Sequence, residues 1–476
     1  MGVAVRQKIY VFEKQYDPAG RMLSGTLPGG NSTFGYDAFG RLESIVHPSG
    51  SGNFQRDLLN RITQVTWTGA TPISQAMGFD LAGNITQLER ENTAASTIAY
   101  DAVDQVLSSV GGSTDVRSYT RDLLGNRLQD SVNGAGSFVS NFLASNGLAA
   151  YTADPNGFGE TVQEVKAGVT KNYVYRADGL LSGFQSGSTQ VASYYDALGR
   201  LAARAINDGV NNFTQSYAYL GAESTLLQAK AGDGTITSFL SGQGPNEYLA
   251  ESKGGVYKGY LTDHAGSILN SELAGPAHRY SLHGEPTGSV SLSPTSSPAM
   301  LGWQGLRFNP ESGNWDNLAR EYNPSLGIFA SQDPSGIDGG INLYGSRNYN
   351  PLRFVDPDGE SPRDVKLIHD IYQAYVDQKT REGRRMSPGW ENNFRSYAPG
   401  SKFEGCGEQA FTLSDILNQA VADKRFDDHW EFEIEELWFE TVFPLHQRVV
   451  GLPGNASDPV LVIDPHRPEF YPRKKP

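Results

Sequence analysis

Along most of the chain, short runs of apolar residues are separated by tight, glycine-bearing turns. After each turn apolar and polar positions alternate, as at Leu42, Ile45 and Val46 or at Ile85 and Leu88, the pattern of a half-buried strand. The turns share a six-residue unit: YDPAGR from Tyr16, YDAFGR from Tyr36, RDLLNR from Arg56, FDLAGN from Phe79, YDAVDQ from Tyr100, RDLLGN from Arg121, YRADGL from Tyr175 and YDALGR from Tyr195. Successive units lie mostly about 20 residues apart, which suits one strand–turn–strand hairpin per unit. In the typical unit an aromatic residue ends a strand, Asp bonds nearby backbone to cap the turn, and Gly or Asn takes the positive φ. Stacked units bury one another's faces as a continuous sheet. The expected fold is a mainly β repeat shell of antiparallel hairpins.

The pattern changes after Gly359. Val365, Ile368, Ile371, Tyr372 and Tyr375 follow helical spacing, predicting helices at 363–380 and 388–397. A loop, YAPGSKFEG, then leads to Ala410, Leu413, Ile416, Leu417, Ala420 and Val421. Their spacing predicts a helix with Cys406 at its N-terminal edge. Strand-like runs WEFEIEELWFETV, HQRVVGLP and PVLVIDPH follow. Residues 361–476 thus form a separate α+β domain.

Composition narrows the function classes. A formal charge of −14 argues against a nucleic-acid partner, which needs a basic face. The single cysteine, Cys406, excludes disulfides within the chain and zinc sites built from several thiolates; no metal or cofactor is expected. No run approaches the roughly 18 apolar residues of a membrane span, and the N-terminal residues lack the apolar stretch of a Sec signal peptide. Any export is therefore expected to be signal-independent.

The C-terminal domain carries candidate chemistry. The positive end of a helix favours thiolate over thiol at Cys406, and its backbone N–H can serve an oxyanion hole. His446 opens the second strand-like run and Asp464 ends the third. His446 would take the thiol proton and Asp464 would fix the imidazole tautomer, with His466 as the fallback base. Against this stands the reading of Cys406 as a small buried hydrophobe. Glu408 and Gln409 either line the cleft or complete the first helical turn. His369 and His429 read as surface residues, Glu431 to Glu440 as a solvated strand face, and the terminal RKKP as too short for a nucleic-acid patch.

The recurring Tyr-Asp-x-x-Gly-Arg resembles the YD repeat of Rhs proteins, teneurin-type repeats and the C component of Tc toxins, over about residues 10 to 360. The resemblance implies a hollow β-cocoon that encloses cargo. Between Tyr260 and Gly359, YLTDHAGSILN, YSLHGE, GWQGLRFNPESGNWDNLAREYNPSLGIFASQDPSG and NLYGSRNYNPLRFVDPDGE resemble the Rhs-repeat-associated core. That core is implied to cut the chain just after its last motif, using two aspartates and an arginine, which match Asp333, Asp356 and Arg320. Two carboxylates brought together do not both ionise easily, so one stays protonated as the acid while the other activates water, and Arg320 orients a carboxylate. The implied junction is Gly359, Glu360 and Ser361, with cleavage at Glu360–Ser361 or a neighbouring bond. Glu360 departs from the family's usual Leu, and Glu321 stands where Tyr is often seen. The bland alternative is that these aspartates cap turns.

The resulting division is 1–259 for the YD-repeat shell, 260–360 for the core and 361–476 for a C-terminal toxin domain. The order Cys406, His446, Asp464 resembles papain-like toxin and deamidase domains. The expectation is an Rhs effector made in the bacterial cytoplasm and delivered by a contact-dependent, type VI-like machine. Its partners would be a secretion spike or adaptor, a cognate immunity protein, and a target-cell protein that the cargo proteolyses or deamidates. Competing expectations are a structural or adhesive surface protein with an inert tail, and a nuclease toxin. The chain also begins within its repeats, as a fragment of a longer protein would.

Overall fold

The computed structural model describes residues 12–359 apart from 18–20, 70–71, 92, 113–115, 156–158, 221–223, 243–245, 272–279, 289–298, 335, 337–341 and 357–358. Beyond these it describes 371–372, 375–376, 378–382, 384, 406–422, 430–438, 444–453, 460–464 and 469–473. Contacts divide the chain into two units, the first mainly residues 21–334 and 340–360, the second mainly 361–476.

In the first unit the repeats form antiparallel strands paired in chain order. Thirteen of them, from β1 (Glu13–Tyr16) to β13 (Gly134–Ala135), make one sheet, and thirteen more, from β14 (Ser137–Val139) to β26 (Val256–Gly259), make another. The expected simple alternation is modified at one recurring point. Register shifts fall between Gly35 and Tyr36, Gln55 and Arg56, Gly78 and Phe79, and Tyr194 and Tyr195. Each bulge inserts one residue after the turn and turns the next side chain back to the same face. Ile85 and Leu88 are therefore both buried despite their spacing of three, whereas Val46 is exposed.

The turns are held by a fork. The carboxylate of Asp37 accepts the backbone N–H groups of Phe39 and Arg41, each at 2.9 Å, and Arg41 Nε at 2.6 Å. Asp57 with Arg61 and Asp196 with Arg200 repeat the arrangement. The guanidinium also reaches the next unit: Arg21 lies 5.0 Å from the Tyr36 ring, Arg61 4.5 Å from Phe79 and Arg200 4.8 Å from Tyr219, which are cation–π distances. The tyrosine in turn donates its hydroxyl to the preceding unit, Tyr36 to Met22 O at 2.8 Å and Tyr219 to Leu201 O at 2.8 Å. Where arginine replaces the aromatic residue, its guanidinium supplies the missing donor, Arg56 to Leu42 O and Arg121 to Val106 O.

The two sheets meet where Gly25 lies against Leu240. Ser252 Oγ donates to Pro28 O at 2.6 Å there, and Ser32 hydrogen-bonds both His47 and Tyr257. Residues 300–329 add a five-stranded sheet, β27 (Met300–Leu301) to β31 (Ile328–Phe329). It is built on a buried aromatic cluster that includes Trp303, Phe308, Trp315 and Tyr322. Within it Glu321 is buried and accepts Asn309 Nδ2 at 2.8 Å. Burial, and then the nearby Asp316 carboxylate, push its pKa up, opposed by Arg307 and Arg204.

In the second unit, helical backbone occurs at 371–372, 375–376 and 378–381, within the first expected helix. The expected helix at 388–397 lies outside the described residues, as do His369 and His429. Helix α1 (Cys406–Ala422) packs on a four-stranded antiparallel sheet, β32 (Trp430–Trp438), β33 (Pro444–Pro453), β34 (Val460–Asp464) and β35 (Glu469–Arg473). Ala410, Leu413 and Leu417 are buried with Phe432, Val449 and Ile463. Asn418 caps the edge, donating to Phe432 O and accepting Phe432 N–H. Ile416 faces out at 38% exposure, which narrows the apolar face expected of this helix, and Gln409 is buried rather than cleft-facing.

Two outcomes are expected. The Asp57 carboxyl is held below the ordinary range, first by its Arg61 hydrogen bond, so the fork's contribution is complete above the unfolded carboxyl value of about 3.9 and is lost as pH falls through the lower folded value. Asp37→Asn, Asp57→Asn and Asp196→Asn should each lower the melting temperature at neutral pH by roughly one to a few degrees and combine additively; calorimetry checks both. Glu321 has the opposite sign: its raised pKa stabilises the protonated fold below the ordinary glutamate range, and that stability declines as pH rises through the raised value. Glu321→Gln should flatten this decline in melts taken from acid to mildly basic pH.

Candidate active site

Arg320 begins β30 (Arg320–Asn323) and is buried with Asp333 and Asp356. One nitrogen of its guanidinium pairs with Asp333 Oδ2 at 2.8 Å, and another donates to Leu343 O at 3.1 Å. Its Nε donates to Gly359 O, and the plane rests 3.6 Å from the Phe329 ring centroid. Asp356 Oδ1 accepts the N–H of Gly359 at 2.8 Å. Two of the three residues expected from sequence thus meet at one glycine, Arg320 on its carbonyl and Asp356 on its N–H, and Asp333 joins them through Arg320. That carbonyl is the acyl side of the Gly359–Glu360 bond. Glu360 and Ser361 lie outside the described residues.

Gly359 has φ +77, and a Cβ there would stand 2.5 Å from Asn317 O, so the position admits only glycine without backbone movement. Asp333 is fixed by its own N–H, which donates to Leu343 O at 2.8 Å. The arrangement combines a buried cation on a peptide carbonyl with two carboxyl groups beside it. In a low-dielectric site that can stabilise an oxyanion and move protons to and from the peptide.

Further residues that sequence reasoning did not single out hold the segment leading to Asp356. Gln304 Nε2 donates to Pro351 O at 3.0 Å and to Phe354 O at 3.1 Å, and its Oε1 accepts Arg347 Nε at 2.6 Å. Arg347 also donates to Asp356 O at 3.4 Å and lies 4.7 Å from Trp303 and 4.8 Å from Tyr322. Arg347, Asn348 and Tyr349 all have left-handed backbone, with φ of 53, 46 and 54. Such residues cost roughly 1–3 kcal/mol each and persist only when surroundings over-determine them. The glutamine of the GWQG turn was the available signal, since a buried amide flanked by glycines marks a backbone clamp.

In the second unit, Cys406 is the first residue of α1, His446 pairs with Leu437 in β33, and Asp464 ends β34. Val449 and Ile463, which pair with each other, are buried with the helix residues. His446 and Asp464 occupy strand positions of the other alternation. The side chains of Cys406, His446 and Asp464, and all of His466, lie outside the described residues.

The RHS Repeat family model matches residues 16–51. The tRNA3(Ser)-specific nuclease WapA of Bacillus spizizenii is 28% identical over 173 residues, 35% of this chain and 7% of that protein. Toxin protein Tse5 of Pseudomonas aeruginosa is 33% identical over 102 residues, 21% of this chain and 8% of that protein. The chain therefore spans less than a tenth of either relative. In solved structures, the Photorhabdus luminescens Tc holotoxin pore matches at a TM-score of 0.53 and 15% identity, over 73% of this chain and 21% of that one. By its repeats the chain is similar to Rhs-type toxins, and over most of its length it has the antiparallel β fold of the Tc toxin shell.

Proposed function

We propose that this chain is the cargo-bearing part of an Rhs toxin effector whose core cuts the backbone beside Gly359 and so frees the C-terminal domain. One observation carries the reading: Arg320 holds the carbonyl of Gly359 and Asp356 its N–H, on either side of the residue that precedes the proposed bond, and Asp333 is ion-paired with Arg320. In the proposed reaction Asp333, ion-paired with Arg320, takes a proton from a water molecule as the water oxygen bonds to the acyl carbon. Arg320 stabilises the resulting oxyanion. Protonated Asp356 supplies the proton on the leaving amine as the C–N bond breaks. The held carbonyl favours Gly359–Glu360 over Glu360–Ser361 as the bond broken. A secretion spike or adaptor, delivery to a target cell and a cognate immunity protein follow from this reading.

For the freed segment we infer a hydrolase that uses Cys406, His446 and Asp464 against a target-cell protein. It is supported by the position of Cys406 at the start of a helix packed on the sheet that carries the other two. A second reading, a nuclease, is favoured by the relative named as a tRNA nuclease and by the alternation that sets His446 and Asp464 apart from the helix-facing Val449 and Ile463.

On denaturing gels the wild-type chain should appear as two fragments cut near residue 360 and Asp356→Asn as one band, with the rate reduced about 10²-fold or more. An uncut wild type, or an Asp356→Asn chain cut equally fast, sinks the self-cleavage reading. The mass of the smaller fragment reports whether it starts at Glu360 or Ser361. Expressed in bacteria as the full chain, wild type should arrest growth and Cys406→Ala should not, with cellular tRNA intact in both. Persistent arrest by Cys406→Ala with loss of tRNA would replace the hydrolase with the nuclease.

A further inference from the structure

Four of the eight repeat units lack the arginine of the turn, and two of these carry asparagine instead: Asn84 and Asn126 stand where Arg41, Arg61 and Arg200 stand elsewhere. Both asparagines still close their turns. Asn84 N–H and Nδ2 bond to Asp80 at 2.8 and 3.0 Å, and Asn126 does the same to Asp122 at 2.9 Å for each bond. What they give up is the long guanidinium, and the core segment takes its place. Asn350 Nδ2 donates to Asn84 Oδ1 at 3.0 Å and to Asp104 O at 2.9 Å. Arg353 donates to Asn84 Oδ1 at 3.1 Å and pairs with Asp104 at 3.3 Å. Asn342 Nδ2 donates to Asn126 Oδ1 at 2.8 Å and to Leu124 O at 3.0 Å.

A second departure adjoins the first. In the next unit the glycine of the turn is Asp104, an aspartate held at φ +63. Its carboxylate accepts Asn84 Nδ2 at 2.7 Å and faces Arg353, while its carbonyl accepts Asn350. Left-handed backbone at a non-glycine residue is tolerated here because the side chain does what glycine could not. Asn350 directly follows the left-handed triplet 347–349, and Asp356 lies six residues further on.

We propose that Asn84 and Asp104 are positioning residues for the self-cleavage: they form a socket that seats Asn350 and Arg353 and thereby delivers Asp356 to Gly359, so that the cut waits for the repeat sheet to be folded. The proposal rests on the self-cleavage reading above. It gives the asparagine at position 84 a reason, since Asn350 bonds its Oδ1 where a turn arginine would place a guanidinium. It also supplies order of events: the cargo is severed only from a chain whose repeats are already assembled.

The test restores the consensus. Asn84→Arg rebuilds the fork with Asp80 and should keep the melting temperature at or above that of the full-length, uncut Asp356→Asn chain into which it is also placed. In otherwise wild-type chains made by cell-free synthesis, Asn84→Arg and Asn350→Ala should each slow the appearance of the cut fragment about tenfold or more. The slowing should be by the same factor at every pH, because no reacting carboxyl is altered. The double variant should be no slower than either single one, the non-additivity of a shared contact. Wild-type cutting with Asn84→Arg cut at the same rate overturns this proposal and leaves self-cleavage standing; a wild type that is never cut removes both. If Asn84→Arg melts early, Asn350→Ala, which leaves the sequence of every repeat turn intact, decides alone: an unchanged rate overturns the socket.

Discussion

Where the turn arginine is present, one guanidinium ties a hairpin to the next. Arg21 and Arg200 each fork onto the aspartate of their own turn and lie over the tyrosine ring of the following unit, whose hydroxyl bonds the backbone behind it. The forks are partly exposed, with arginine side chains near 30% accessible, and singly such pairs contribute about 0–1 kcal/mol. Their weight comes from repetition and from geometry. A planar fork fixes direction as well as distance, so every turn is delivered at the same angle to its neighbour. Long up-and-down sheets lack the crossovers that lock other folds, and register would otherwise be weakly specified.

That same device explains what was legible in the sequence. The fork needs Asp and Arg at fixed spacing, an aromatic residue one unit later, and a left-handed residue between them, so the unit is visible as letters. The bulge is not, because it is a property of backbone pairing: Ile85 and Leu88 look misphased for one face until the extra residue after Phe79 is counted. Arg320, Asp333 and Asp356 were legible only through the resemblance of their segment to the Rhs-repeat-associated core. The socket residues were hidden for the opposite reason, since Asn84 and Asp104 read as degeneracy in a repeat that tolerates it. In the C-terminal segment the helix and three strands were readable from spacing, while a fourth strand, Glu469–Arg473, was masked by its Pro472.

The core around the site depends on buried arginines that remain charged and therefore demand acceptors. Arg307 takes Asp316 and Arg204 takes Glu311, carboxylate partners that pin this sheet internally and to the second repeat sheet. Arg320 adds to its Asp333 pair the carbonyls of Leu343 and Gly359, and Arg347 donates to Gln304 Oε1, Ser346 Oγ and the Asp356 carbonyl. The cost of leaving guanidinium donors unmet thus adds to the burial of Tyr344, Tyr349, Leu352 and Phe354 in ordering this segment.

A peptide bond held by its own chain needs no binding energy to find its catalyst. What it needs is freedom from alternatives. The left-handed triplet at 347–349, the Gln304 clamp and the glycine that alone fits against Asn317 O each remove conformations that the terminal segment could otherwise adopt. On the proposed mechanism, restriction of this kind is the main catalytic contribution, because effective molarity rises as rotational freedom falls. It also makes the reaction single-turnover by construction. The strain that presents the bond is maintained by the intact fold, and nothing in the arrangement is required to release a product and start again.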